Sequence, residues 1–289
     1  MSEPPRAARK VPTRRMSFEA SLRDVPRHFA ADGDLVLSHV AASLSAVFPD
    51  GEDFFVRSVR HFRDEVTDPE LKGQIAGFIG QEAMHGREHR AFNRRLAELR
   101  YPTRLLERIT ERGLALGERL VGANASLAVT AALEHFTATL AELVLDDEQT
   151  RRLFGDGEVQ NLFLWHALEE SEHKAVAFDV YRAVGGTERM RTAAMNLVTA
   201  AFIGGMVLAI TVSLAGDRDT YRPRTLVRSL SALWRSPLVS GELWRQLRAY
   251  NRHGFHPDDR DTEELVERWR AELFGPAGTL NDKLAGSAA

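Results

Sequence analysis

Between about residues 32 and 190 the apolar positions recur at steps of three and four, and strand-like alternation and hairpin dipeptides are missing. That pattern predicts an all-α domain. The interruptions fall at helix-end chemistry: Pro49-Asp50-Gly51, Thr67-Asp68-Pro69-Glu70, Arg100-Tyr101-Pro102-Thr103, Phe154-Gly155-Asp156-Gly157 and Gly185-Gly186-Thr187. Four helices follow, at about 50–66, 69–99, 104–145 (with Gly113, Gly117 or Gly122 as break points) and 157–184.

The inward stripe of the second helix reads Leu71, Ile75, Phe78, Glu82, His85, His89, Phe92, Leu96, Leu99. Every position is core-like except the middle three. The fourth helix repeats the pattern with Val159, Phe163, His166, Glu170, His173, Ala177, Val180 and Val184. Both carry Glu-x-x-His, whose spacing puts a carboxylate and an imidazole about 5–6 Å apart on one face, within reach of one metal. The first and third helices each offer one carboxylate on an apolar stripe, Glu52 and Glu134. Glu52 and Glu82 are equidistant from the first interhelical turn, and Glu134 and Glu170 from the second. At ~1.5 Å rise per residue, each antiparallel pair comes level roughly 20–27 Å from its turn. A buried, unpaired Glu costs several kcal/mol, so carboxylates centred on four apolar stripes call for cations.

One Glu from each of two helices and Glu-x-x-His from each of the other two is the ligand pattern of ferritin-like dimetal four-helix bundles. The expected ligands are Glu52, Glu82, His85, Glu134, Glu170 and His173, holding two divalent ions. Gln81 and Glu169 each lie four residues before one of these histidines, placed to orient an imidazole. His89 and His166 extend the stripes by a turn, either as further ligands or as hydrogen-bonded core histidines. His135 points roughly 100° away from Glu134 and is expected outside the centre. Small side chains at Thr130, Thr137 and Ala141 either pack helices closely or leave room for a small molecule.

Composition narrows the metal. The 289-residue chain has no Cys, which excludes disulfides, Cys-ligated zinc, iron–sulfur clusters and a thiol nucleophile. A hard, all-Glu/His donor set suits iron first and manganese second. A net charge of −3 and the lack of a base-stacking motif argue against nucleic acid as a partner.

Four segments carry a family resemblance: Phe48 to Arg60, Gly80 to His89, Glu134-His135, and Trp165 to Asp179, with Gly254-Phe255-His256-Pro257-Asp258 further on. Across about residues 30–270 the chain resembles a bacterial ferritin-like family labelled "predicted metal-dependent hydrolase". The resemblance implies a metal-dependent enzyme. Donor chemistry by itself favours an O₂-activating di-iron oxidase or oxygenase with O₂ as cosubstrate, and an apolar or lipid-like substrate follows if the C-terminal third meets a membrane. The alternatives are a dimetal hydrolase that uses a metal-activated hydroxide, and a metal-binding bundle without catalysis.

Outside residues 31–190, composition predicts three further segments. Residues 1–30 read as a basic, disordered tail without a secretory signal, and 276–289 as a flexible tail. Residues 191–275 hold a 25-residue uncharged run, 192–216, and a stretch from 221 to 252 with seven arginines and one acid. These read as an apolar helix and amphipathic helices, packed on the bundle, at a homodimer interface or on a membrane surface. The chain is accordingly expected in the cytoplasm, or peripheral on the inner face of the membrane.

Overall fold

The first long helix starts at Asp34, whose carboxylate accepts from Leu37 N at 3.0 Å and so caps an otherwise unpaired N–H. In the computed structural model, which describes residues 11–155 and 157–285, this α1 runs Leu35–His61 without interruption at Pro49. A helix-interior proline deprives the carbonyl four residues back of its donor. Here that carbonyl, Ser45 O, accepts from Asn93 Nδ2 at 3.0 Å instead. The expected break at Pro49-Asp50-Gly51 is therefore absent, and α1 is a single 27-residue helix.

α2 (Pro69–Glu98) begins with Pro69 in its first turn and Asp68 as its cap. The expected third helix divides at Gly122 into α3 (Thr103–Leu120) and α4 (Ala123–Asp146), and a short α5 (Glu148–Arg152) follows. The fourth divides just after His173 into α6 (Glu158–His173) and α7 (Val176–Ala183). Then come α8 (Glu188–Ala215), α9 (Pro223–Arg235), α10 (Gly241–Ala249) and α11 (Glu263–Phe274). The described residues are all-helical apart from loops and one isolated bridge between Met16 and Leu284.

α1 packs on α2 and α4, α4 packs on α6 and α7, and α2 closes the circuit against α6 and α7. The interior between them is layered. One apolar cluster takes Phe55, Val59, Ile75, Phe78, Leu127 and Val180. A second takes Ala41, Phe92, Leu96, Leu145, Val159 and Phe163. Each stripe crosses from one cluster to the other through its Glu and His positions, so the polar side chains form a band at the boundary.

Residues 11–30 are not a disordered tail. Met16, Phe18 and Leu22 are buried in the second cluster, and Gly77 and Gly80 of α2 make room for Val11 and Thr13, with which an added Cβ would collide. The arginines that made this segment look like a solvated tail include Arg14, which neutralises buried acids of α6. Likewise residues 276–285 are folded: Leu280 is buried, and Ser17 N donates to Lys283 O at 2.9 Å. Residues 1–10 and 286–289 lie outside the described residues. Downstream of α7, His256 Nδ1 accepts from Asp258 N, so its Nε2 donates to Asp179 Oδ1 at 2.8 Å, fastening the 254–258 segment to the helix that follows His173.

Candidate metal centre

The polar band brings together all six residues that the stripes single out. Glu52 arrives on α1, Glu82 and His85 on α2, Glu134 on α4, and Glu170 and His173 on α6, each one buried. Two donor groups result. Glu82, Glu170 and His173 offer three ligand atoms within 4.8 Å of one another, and Glu52, His85 and His166 offer three more. Glu134 Oε2 lies 3.4 Å from His173 Nε2, beside the first group. Glu170 Oε1 spans the two, at 3.6 Å from His173 Nε2, 3.7 Å from His85 Nδ1 and 3.0 Å from His166 Nε2.

Hydrogen bonds behind the histidines decide which nitrogen each presents. Gln81 donates through Nε2 to Pro12 O at 3.0 Å and to Glu172 Oε2 at 2.9 Å, so its amide oxygen can only accept. It accepts from His173 Nδ1 at 2.8 Å, leaving the Nε2 lone pair aimed at Glu82 Oε1, 3.0 Å away. His85 donates from Nε2 to Glu169 Oε2 at 3.1 Å, leaving Nδ1 bare toward Glu82 and Glu170. A third chain starts at Asn93, whose Nδ2 donates to Ser45 O and Glu107 Oε1, both at 3.0 Å. Its Oδ1 therefore accepts from Ser45 Oγ at 2.7 Å. Ser45 Oγ then accepts from His89 Nδ1, and His89 Nε2 accepts from His166 Nδ1 at 2.7 Å. His166 is left with a bare Nε2 facing Glu170 and Glu52.

In their neutral forms three imidazoles thus turn lone pairs toward four carboxylates, and an added proton is what lets His166 Nε2 bond Glu170 Oε1, 3.0 Å away. Among the described residues, nine of the fifteen buried side-chain polar atoms without a hydrogen-bond partner belong to Glu52, Glu82, His85, Glu134, Glu170 and His173. Each orphaned group of this kind costs about 1–3 kcal/mol, and more when charged. Burial pushes the Glu52 and Glu82 carboxyls well above the usual carboxylate range, helped by their acidic neighbours, and Glu134 up to about 7. Burial also acts upward on Glu170, but His173 and His166 overcome it and hold that carboxyl low. Burial holds His85 and His89 well below the ordinary imidazole value, whereas Glu170 and its neighbours outweigh burial at His173 and raise it. Left to itself the band must take up protons; bound cations remove that need.

The expected orienting residues act across the bundle rather than along their own helices. Gln81 of α2 holds His173 of α6, and Glu169 of α6 holds His85 of α2. His89 and His166 also part company: His166 stands among the carboxylates, and His89 stands behind it. His135 lies outside, with Nε2 3.0 Å from Gln246 O and its ring against Tyr250 and Phe255. Thr130 spends its hydroxyl on Ser58 Oγ at 2.6 Å and Ala141 joins the second apolar cluster, so those positions serve packing.

Two residues escaped the stripe pattern. Glu172, buried on α6, accepts from Gln81, from Arg14 at 2.8 Å and from Arg270 of α11 at 2.8 Å. Arg14 also reaches Glu169 Oε1 at 2.9 Å, so one guanidinium steadies the partners of both His85 and His173. Burial pushes the Glu169 carboxyl up to about 8 against the pull of Arg14. The signal for Glu172 was in the sequence, because Glu169-Glu170-Ser171-Glu172 crowds three acids into a wholly buried helical turn. No local signal could have located Arg14, 155 residues from Glu169.

A third group, His28, His39 and Asp217, has ligand-like spacing but is already satisfied. Asp217 Oδ2 accepts from Arg27 and His28 at 2.9 Å each and contacts His39 Nε2 at 3.2 Å. Arg27 supplies the positive charge there, and the group acts as a clamp between α1 and the end of α8.

The family model described as "Predicted metal-dependent hydrolase" matches residues 12–261. No curated protein and no solved structure matches the chain. The chain belongs to the predicted metal-dependent hydrolase family.

Proposed function

We propose that the chain is a metal-dependent hydrolase built on a ferritin-like four-helix bundle, with a dimetal centre between the two apolar clusters. Glu82, Glu134, Glu170 and His173 would hold one ion, and Glu52, His85 and His166 the other, with Glu170 shared. The observation that carries this reading is the set of three imidazole nitrogens turned toward four buried carboxylates, of which Glu52, Glu82 and Glu134 have no hydrogen-bond partner. Four negative charges balance two divalent ions, and the O/N donor set suits iron or manganese. Such a pair, when bound, lowers the pKa of water and polarises a carbonyl or phosphoryl oxygen.

The chain's own residues supply orientation and charge balance. Gln81 and Glu169 fix the rings of His173 and His85, and the His89–Ser45–Asn93 chain fixes His166. Arg14 bridges Glu169 and Glu172, and Arg270 holds Glu172 from the other side, so both carboxyl groups stay in place. Phe48, Phe78 and Trp165 pack edge-on against the histidine rings and keep bulk water from the band.

The family description favours hydrolysis over the di-iron oxidase expected from donor chemistry. One observation remains on the oxidase side, namely the carboxylate-rich, fully buried donor set itself. The two are separated by incubating iron- and manganese-loaded protein with ester, phosphoester and amide model substrates, with and without O₂. Hydrolysis predicts product formation that needs metal and is unchanged under anaerobic conditions. Product formation that stops without O₂, with O₂ consumed in proportion, overturns hydrolysis in favour of oxidation.

A further inference from the structure

Of the two helices long and apolar enough to cross a bilayer, α4 is mostly buried inside the protein, whereas α8 is mostly exposed. α8 is nevertheless part of the folded unit. Ala194, Met195, Val198, Met206 and Ala209 are buried on its inner side, against α1 and α4. Both its ends are pinned. At one end the buried Arg191 donates to Tyr250 O and, at 3.0 Å, to Arg252 O; at the other, Asp217 is held by Arg27, His28 and His39. A helix fastened along one side and at both ends cannot thread a bilayer alone, yet its outer side, including Leu197, Val207 and the 62% exposed Leu208, faces outward.

This exposure is confined to one part of the molecule. Among the described residues every exposed large apolar side chain lies on α3 or the Val121 that follows it, on α8 or on the 221–239 segment, and none lies on α2, α4, α6 or α7. α3, α8 and α9 all pack on α1. α3 contributes Leu120, 75% exposed, and α9 contributes Val227 and Trp234, 66% and 81% exposed. A soluble monomer rarely shows so large an apolar surface uncovered. Along α9 and α10 the charges are mostly of one sign: residues 221–252 hold seven arginines against Glu242 alone. Arg224, Arg228 and Arg235 are exposed and form no ion pair with a described acid.

We propose that this face docks in the plane of an anionic lipid bilayer, with the outer side chains of α8 and α9 at the headgroup–acyl boundary and the α9 arginines on lipid phosphates. Arginine binds phosphate bidentately, tryptophan favours the interface, and basic residues beside an apolar face add attraction to anionic lipid. A second copy is the poorer occupant, because a two-fold contact sets the same patch against itself and would bring the arginine-rich α9 rim onto its own image. The proposal rests on the surface alone and stands apart from the metal reading.

The test is flotation of the full-length protein with phosphatidylcholine vesicles, with and without phosphatidylglycerol. Docking predicts at least about tenfold more bound protein on the phosphatidylglycerol vesicles. That excess should disappear at high salt and in the Arg224→Glu/Arg228→Glu variant, whose changes lie on exposed side chains that leave the core intact. Failure to float with phosphatidylglycerol, or binding indifferent to lipid charge, salt and the two reversals, would overturn it. So would a wild-type protein that is dimeric in solution and made monomeric by Leu208→Glu.

Discussion

Gln81 shows how much one residue carries at the centre. Its amide is fixed by Pro12 O and Glu172, and that in turn fixes the tautomer of His173. Gln81→Leu keeps the volume but frees the imidazole, so metal affinity should fall about 10–100-fold, as for other partners of ligand histidines. Competition with a chromogenic chelator measures it; unchanged affinity would remove Gln81 from the account. Arg14 acts on charge rather than geometry. Arg14→Met leaves Glu169 with no cationic partner and Glu172 with Arg270 alone. Breaking a buried pair of this kind costs about 3–5 kcal/mol, which urea denaturation of the two proteins reads directly.

At the scale of elements, α1 is the instructive case. A proline in its middle reads as a helix boundary when only local preference is considered, yet the helix continues because Asn93 of α2 takes the freed carbonyl of Ser45. Asn93→Leu should therefore cost about 1–3 kcal/mol, seen as a lower denaturation midpoint. The same substitution removes the acceptor that orients Ser45, and through it His89 and His166. Helix periodicity made the Glu82/His85 and Glu170/His173 stripes legible, because burial on one face repeats every three or four residues. It could not show that Gln81 and Glu169 serve the opposite helix, since that depends on how α2 and α6 meet. Nor could it place residues 11–30, whose prolines and arginines look solvated until Met16, Phe18 and Arg14 are seen against α2 and α6. Long-range pairing leaves no local periodicity.

Across the whole molecule, buried neutral histidines set an acid limit on stability. Burial holds both His39 and His135 down at about 4, below the ordinary imidazole value near 6.5. His39 is faced by Asp217, Arg27 and His28, and His135 by Lys174 and Arg191. Between pH 6.5 and 4 the unfolded chain binds these protons and the folded chain does not, so stability is full above pH 6.5 and declines as the pH falls through that window. Each residue contributes on the order of 3 kcal/mol to the decline, and His39→Gln should flatten it when urea midpoints are followed against pH. The buried band of carboxylates and imidazoles gives the other global property: under the proposed function, divalent ions complete the fold. Elemental analysis of the purified wild-type protein and of Glu82→Ala and Glu170→Ala tests that most directly. The account predicts about two iron or manganese ions per wild-type chain and a marked loss in both variants. The same trace metal in all three proteins would contradict it.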